Sequence, residues 1–243
     1  MKEFVIETRK LTKCYGEQTV VKEVDLHVRK GEIYGLLGRN GAGKTTLMKM
    51  ILGLTPETSG EVELFGRKLR GQEKQIYPQI GAMIEAPGFY PNLTGTENLE
   101  IFARLRGLKR EQTVKRALAV VGLPYRDKKL FGNYSLGMKQ RLGIANAILH
   151  DPKLLILDEP MNGLDPIGIA EMRGFLVKLS REQGKTILIS SHILSEIELV
   201  ADRVGIMDHG ALLTQKKHER TQKKVRRHWR HILENVTGGV GIA

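Results

Sequence analysis

The sequence predicts an α/β fold, with an open sheet whose strand ends carry a phosphate-binding loop. Three observations predict it. First, Gly38-Arg39-Asn40-Gly41-Ala42-Gly43-Lys44-Thr45 fits the pattern G-x-x-x-x-G-K-[ST]. It lies between a strand-like run at 32–37 and a helix-forming run at 46–52. Second, the apolar run at 153–157 ends in the adjacent acids Asp158 and Glu159. Third, the apolar run at 186–190 is followed by His192. Open α/β sheets place their ligands at the carboxyl ends of their strands, which is where each of these groups falls.

The residue types of the loop answer to one chemistry. A nucleoside triphosphate brings dense negative charge that needs donors at short range. Gly38, Gly41 and Gly43 allow turns that a Cβ resists, so successive N–H groups converge into an anion-binding concavity. The following helix aims its free N–H groups and positive end at the same place. Lys44 adds a point cation for the outer phosphates, and Thr45, followed by Thr46, offers a hydroxyl to Mg²⁺. A chance match in a chain of this size is expected about one time in a hundred at average residue usage, so a plain glycine-rich turn is the poorer account. With the loop present, the acids gain roles. Asp158 can hold the Mg²⁺ that Thr45 touches. Glu159 can face a water aligned on the γ-phosphate and act as general base. His192 is placed to contact the γ-phosphate or that water.

The chain of 243 residues suits one large domain with sub-lobes, and 41% apolar residues suffice for a core. Cys14 is the one cysteine, so no internal disulfide forms, which suits a reducing cytosol. No apolar run approaches the roughly 18 residues of a membrane span, and residues 1–5 lack a signal-peptide core. The expectation is a protein soluble by itself. Half of the net charge of +12 lies in the last 28 residues. The body is only mildly basic, as phosphate binding requires, and no specific nucleic acid is expected as a partner.

In chain order, residues 4–10 and 20–28 read as strands. Tyr15, beside Gly16, sits on the turn between them as a ring able to stack on a purine. Residues 59–66 read as a turn and an alternating strand, and 80–85 as an apolar run ending in Glu85. Pro87, Gly88, Pro91 and Asn92 then break the chain. Residues 94–106 and 110–121 read as helices, with Leu99, Phe102 and Leu105 on one face of the first. Gly107 and Gly122 stop them. After the acidic strand come a helix at 166–183, the strand at 186–190, and short strands at 204–207 and 211–214 around a turn at Asp208-His209-Gly210.

This order of phosphate loop, helical insertion, acidic strand and histidine resembles the nucleotide-binding subunit of ABC transporters, over residues 4 to about 215. Tyr134-Ser135-Leu136-Gly137-Met138 stands where that family carries its L-S-G-G-Q signature. The resemblance implies a P-loop NTPase (RecA-like) core with an antiparallel β lobe and a helical signature-bearing subdomain. It implies a nucleotide-binding domain at 1–215, with the helical subdomain at about 88–150 inserted. ATP and Mg²⁺ are the implied ligands. Ser135 and Gly137 would touch the γ-phosphate held by an opposite subunit. Tyr15 would stack the adenine, Asp165 of Asn162-Gly163-Leu164-Asp165 would cross the dimer interface, and His192 would be the switch histidine. The implied assembly is a homodimer with a separate transmembrane permease. Its place is cytoplasmic, peripheral on the inner face of the membrane.

Three departures stand out. Tyr134, Leu136 and Met138 replace the signature's usual Leu, Gly and Gln. Glu85 replaces the usual Q-loop glutamine; it can still bind Mg²⁺ or order water, but its charge repels a γ-phosphate unless a metal intervenes. Both features resemble the exporter ATPases of bacitracin resistance and lantibiotic immunity. The tail at 216–243 is atypical. Residues 216–230 are basic, with Val225, Trp229, Ile232 and Leu233 on a helical stripe, and a solvated or disordered tail is the simpler reading than a membrane-surface helix. The implied function is ATP hydrolysis driving export, probing two alternatives: a soluble ABC ATPase acting on nucleic acid or the ribosome, and a non-hydrolysing ATP-binding regulator. A single phosphate loop, few cysteines and no sustained heptads oppose the first, and the intact Asp158, Glu159 and His192 oppose the second.

Overall fold

The computed structural model describes residues 4–85 and 88–217. The chain begins with β1 (Phe4–Tyr15), β2 (Gln18–Val24) and β3 (His27–Arg29), and β4 (Ile33–Leu37) then runs into the loop before α1 (Lys44–Ile51). β5 (Ser59–Leu64) and β6 (Arg67–Lys68) pair as a hairpin, followed by the short α2 (Glu73–Ile76) and by β7 (Ile80–Met83). Three helices come next, α3 (Gly95–Leu105), α4 (Arg110–Val120) and α5 (Leu136–Ile148). The chain then alternates β8 (Leu154–Leu157), α6 (Pro166–Arg181), β9 (Thr186–Ser191), α7 (Leu194–Glu198), β10 (Arg203–Asp208) and β11 (Ala211–Lys217).

The strands form two sheets. One has six strands in the order β11-β10-β4-β9-β8-β7, parallel except for β11 at its edge. The other is antiparallel, in the order β2-β1-β5-β6 with β3 also paired to β1. The parallel strands β4 and β8 are buried on both faces and their side chains alternate between two cores. Ile33, Leu37, Leu155, Leu157, Ile187 and Ile189 join the core shared with the helical region. Tyr34, Leu36, Leu154, Ile156 and Leu188 join the core shared with α1 and the antiparallel lobe. Period-two alternation thus fixes the lobe on one face of the sheet and the helices on the other.

Local signals set several boundaries. Thr94 caps α3 in a reciprocal box with Glu97, an arrangement that typically contributes about 1 kcal/mol. Pro166 opens α6 behind the capping Asp165. Among the described residues no helix is long and apolar enough to cross a membrane.

The structure corrects four expectations. Tyr15 ends β1 and is not on the turn, because β1 continues through Leu11–Tyr15 to pair with β2. The strand expected at 20–28 splits at Asp25, and its second part crosses to another stretch of β1. Leu105 is exposed, because steps of three residues drift off a helix face; Leu99 and Ala103, four apart, hold the core side. β11 continues to Lys217, three residues beyond the strand expected at 211–214. The basic run beyond Lys217, its stripe at Val225, Trp229, Ile232 and Leu233, and Ala86 and Pro87 lie outside the described residues.

Candidate functional site

Gly38 to Thr45 cross from the end of β4 to the start of α1. The Gly38 N–H donates to the Ser191 carbonyl at 3.2 Å, tying the loop to the neighbouring strand β9. Gly43 caps α1 at φ 96, and a Cβ there would lie 2.6 Å from the Val20 carbonyl oxygen. Only glycine meets both constraints. No side chain caps α1 and its first turn holds no acid. The helix start therefore keeps its positive end for an anion. Asn40 and Gly41 form the exposed tip, Ala42 is buried beneath it, and Thr46 is half-buried. Arg39 lies 3.7 Å from Asp208.

Two short chains of contacts cross this loop. In the first, the Thr45 hydroxyl donates to Asp158 Oδ2 at 2.6 Å, and the Ser190 hydroxyl donates to Asp158 Oδ1 at 2.5 Å. Ser190 also accepts from the Glu159 N–H at 2.8 Å. In the second, Lys44 is buried and donates to the carbonyls of Gly38 at 2.6 Å and Arg39 at 3.3 Å. Its Nζ lies 3.2 Å from Glu159 Oε1, and His192 Nδ1 lies 2.9 Å from Glu159 Oε2. The carboxylate of Glu159 is thus held between an ammonium and an imidazole. Glu159 takes a left-handed backbone, φ 47, a strained conformation for a residue with a Cβ. It turns the chain sharply after Asp158, so the two acids serve different contacts.

Ser190 was not singled out from sequence. Its signal was a polar pair, Ser190-Ser191, closing an otherwise apolar buried strand. Ser191 likewise donates to the buried carboxylate of Glu196 at 2.6 Å. Lys49 is the other residue missed. It lies on α1 and donates to Glu85 at 2.6 Å. Glu85 is exposed, follows β7 and has φ 63. The hydrogen bond to Glu85 holds the Lys49 ammonium above its ordinary pKa, with further attraction from Glu85, Tyr15 and Asp158. Tyr15 is half exposed, with the Lys13 ammonium 4.8 Å from its ring centroid.

Ser135, Gly137 and Asp165 form a second group. Ser135 caps α5 by accepting from the Met138 N–H at 3.3 Å, and Asp165 caps α6 by accepting from the Gly168 N–H at 2.8 Å. They line one groove with Leu136, Gly163 and Arg141, which none of the phosphate-loop residues enters.

The donor set fits Mg²⁺. Thr45 and Asp158 converge as hard oxygen donors 2.6 Å apart. Among the described residues there is no cluster of three or more His, Cys, Asp or Glu that could hold a metal.

Known proteins are similar to this chain over most of its length. A family model described as ABC transporter matches residues 21–162. The bacitracin transport ATP-binding protein of Enterococcus faecalis is 59% identical over 225 residues, 91% of this chain and 73% of the relative. The lantibiotic transport ATP-binding protein of Streptococcus pyogenes is 42% identical, over 88% of this chain and 92% of the relative. Among solved structures, cbiO1 from Clostridium perfringens, part of the transporter complex cbiONQ, superposes with a TM-score of 0.82 at 26% identity, covering 98% of each chain. An ATP-binding cassette in a dimeric post-hydrolysis state, bound to ADP and phosphate, superposes with a TM-score of 0.79 at 25% identity, covering 88% of this chain and 99% of that one.

Proposed function

This chain belongs to the ABC transporter family and is one of its ATP-hydrolysing subunits, and we propose that it powers export of a peptide antibiotic or similar amphiphile through a separate membrane subunit. The observation that carries this reading is the paired network on the phosphate loop, Thr45–Asp158–Ser190 and Lys44–Glu159–His192, in a chain 59% identical to a bacitracin transport ATP-binding protein. The nucleotide-binding domain in this proposal is residues 1–215 with about 88–150 inserted as the helical subdomain. The chain works at the cytoplasmic face of the membrane, held there by its membrane partner.

Each residue has a defined task. Tyr15 stacks the adenine on the ring face away from Lys13. The backbone of 38–45 and the start of α1 bind the phosphates, with Arg39, Asn40, Ala42 and Thr46 contributing through the loop backbone or its first helical turn. Lys44 turns from its own loop carbonyls to the outer phosphates. Thr45 and Asp158 would hold Mg²⁺, and Glu85, whose carboxylate is paired with Lys49, stays outside that set; when bound, the ion would neutralise charge that develops between the outer phosphates. Ser190 keeps Asp158 fixed by donating to the oxygen that Thr45 does not use. Glu159 accepts the proton of the attacking water, and His192 orients its carboxylate through the Nδ1 hydrogen bond.

The second half of the site is supplied by another copy. Ser135, Gly137 and the start of α5 offer donors and a positive helix end to the γ-phosphate bound on that copy, and Asp165 lies on the path between the two sites. ATP held between subunits favours the closed dimer, and its loss reopens it. Glu159→Gln should bind ATP, lose turnover and accumulate as an ATP-dependent dimer in sedimentation velocity. Normal turnover in this variant would remove Glu159 from the mechanism.

A further inference from the structure

Two acids follow neighbouring parallel strands, and α1 grips both. Leu157 on β8 is in register with Met83 on β7; Asp158 follows the first and Glu85 comes two residues after the second. The Thr45 hydroxyl reaches Asp158 at 2.6 Å, and the Lys49 ammonium reaches Glu85 at 2.6 Å. Thr45 and Lys49 are four residues apart on one helix, so they share a face with Cβ atoms about 5–6 Å apart. Glu85 therefore pairs with the face of α1 that also carries the Asp158 contact, and charges so arranged act on one another over the roughly 8 Å screening length at physiological salt. An acid at that position opposes a tri- or tetra-anionic substrate. The ammonium that compensates it is already in place.

We propose that Lys49 is a positioning residue for nucleotide binding: it pairs with Glu85, cancels that residue's charge toward the outer phosphates and holds its carboxylate on α1. The inference rests on the nucleotide-site reading above. Lys49 acts through Glu85, not by touching the phosphates. Glu85 has a left-handed backbone, φ 63. The pair also ties α1, which carries the phosphate loop, to the segment that leaves β7 for the helical subdomain.

A double-substitution cycle tests this. The dissociation constant for the magnesium complex of a non-hydrolysable ATP analogue is measured by equilibrium binding for the unaltered chain, Lys49→Met, Glu85→Gln and the double variant. Lys49→Met is expected to weaken binding about five- to tenfold at 0.1 M salt, and the loss should shrink at 1 M salt as screening replaces the lost cation. In the Glu85→Gln background the same substitution should change binding by less than about twofold, so that the two losses are far from additive, as for residues in contact. Lys49→Arg, which keeps the charge, should restore binding, and melting curves on each variant report folding. An equal loss in both backgrounds would mean that Lys49 contacts phosphate directly and would overturn the proposal, as would no loss in either. Turnover is measured alongside: a chain that binds the analogue but never hydrolyses ATP overturns the reading of the site while leaving the cycle intact, and a flat cycle in a hydrolysing chain overturns only the role of Lys49.

Discussion

The phosphate-loop region and the signature region are built on opposite plans. Around the loop, each functional side chain is held by another from a different element. Thr45, Asp158 and Ser190 come from α1, the end of β8 and β9, and Lys44, Glu159 and His192 link the same elements again. Around the signature, the side chains of Ser135 and Asp165 make local hydrogen bonds among the described residues, each capping the helix it opens. Gly137 and Leu136 lie open to the groove. The first region is preorganised within one chain. The second holds its helix starts in place and leaves their outer side available. A catalytic centre that is rigid on one side and exposed on the other is one that a second surface completes, and this is the physical basis of the proposed dimer.

The largest expected effect strikes the closed region at its centre. Glu159→Gln keeps the side chain's shape but removes its charge, its basicity and one of its two acceptor oxygens, and turnover measured by phosphate release should fall between about 10² and 10⁴-fold. Next comes Ser190→Ala, which leaves Asp158 held on one oxygen only. Loss of a hydrogen bond to a charged group costs about 1.5–3 kcal/mol, so kcat should drop about ten- to hundredfold, and the melting temperature should fall by several degrees as well. A kcat within twofold of the unaltered chain would show that Ser190 is only a strand residue. The smallest effect lies on the signature side. Gly163 has φ 73, and a Cβ there would meet Leu136 Cδ2 at 2.5 Å. Gly163→Ala should cost about 1–2 kcal/mol and lower the melting temperature by about 2–8 °C. An unchanged melting temperature would show that the groove wall relaxes, and that the signature region is less fixed than its caps suggest.

The two regions also differ in how far they could be read in advance. The phosphate loop was legible because its residues are contiguous and their chemistry is narrow; glycine at 43 is demanded by φ 96 and the Val20 carbonyl. Asp158 and Glu159 were legible because the phosphate loop gave a role to acids that would otherwise read as an ordinary strand end. Ser190 was not, since its role depends on β9 lying beside β8, with Leu157 opposite Ile189. No local pattern encodes that pairing. Lys49 was hidden for the same reason, as its partner lies 36 residues away. Alternation placed the sheet core but missed the break at Asp25, where β2 and β3 each pair with a different part of β1. The three-residue spacing that suggested Leu105 as a core residue shows the limit of periodicity near a helix end.

The central claim is that the closed region of one copy is completed by the open region of another, and mixing two defective variants tests it most directly. Lys44→Ala disables the loop. Gly137→Arg obstructs the signature, and it should fold because a Cβ at 137 meets only Leu164 Cδ2, at 3.5 Å. Each variant alone should turn over ATP below about one hundredth of the unaltered rate, and an equal mixture should recover about a quarter of it, since half of randomly paired dimers hold one intact site of two. Full turnover by Gly137→Arg alone, or a mixture no more active than its parts, would contradict the shared site.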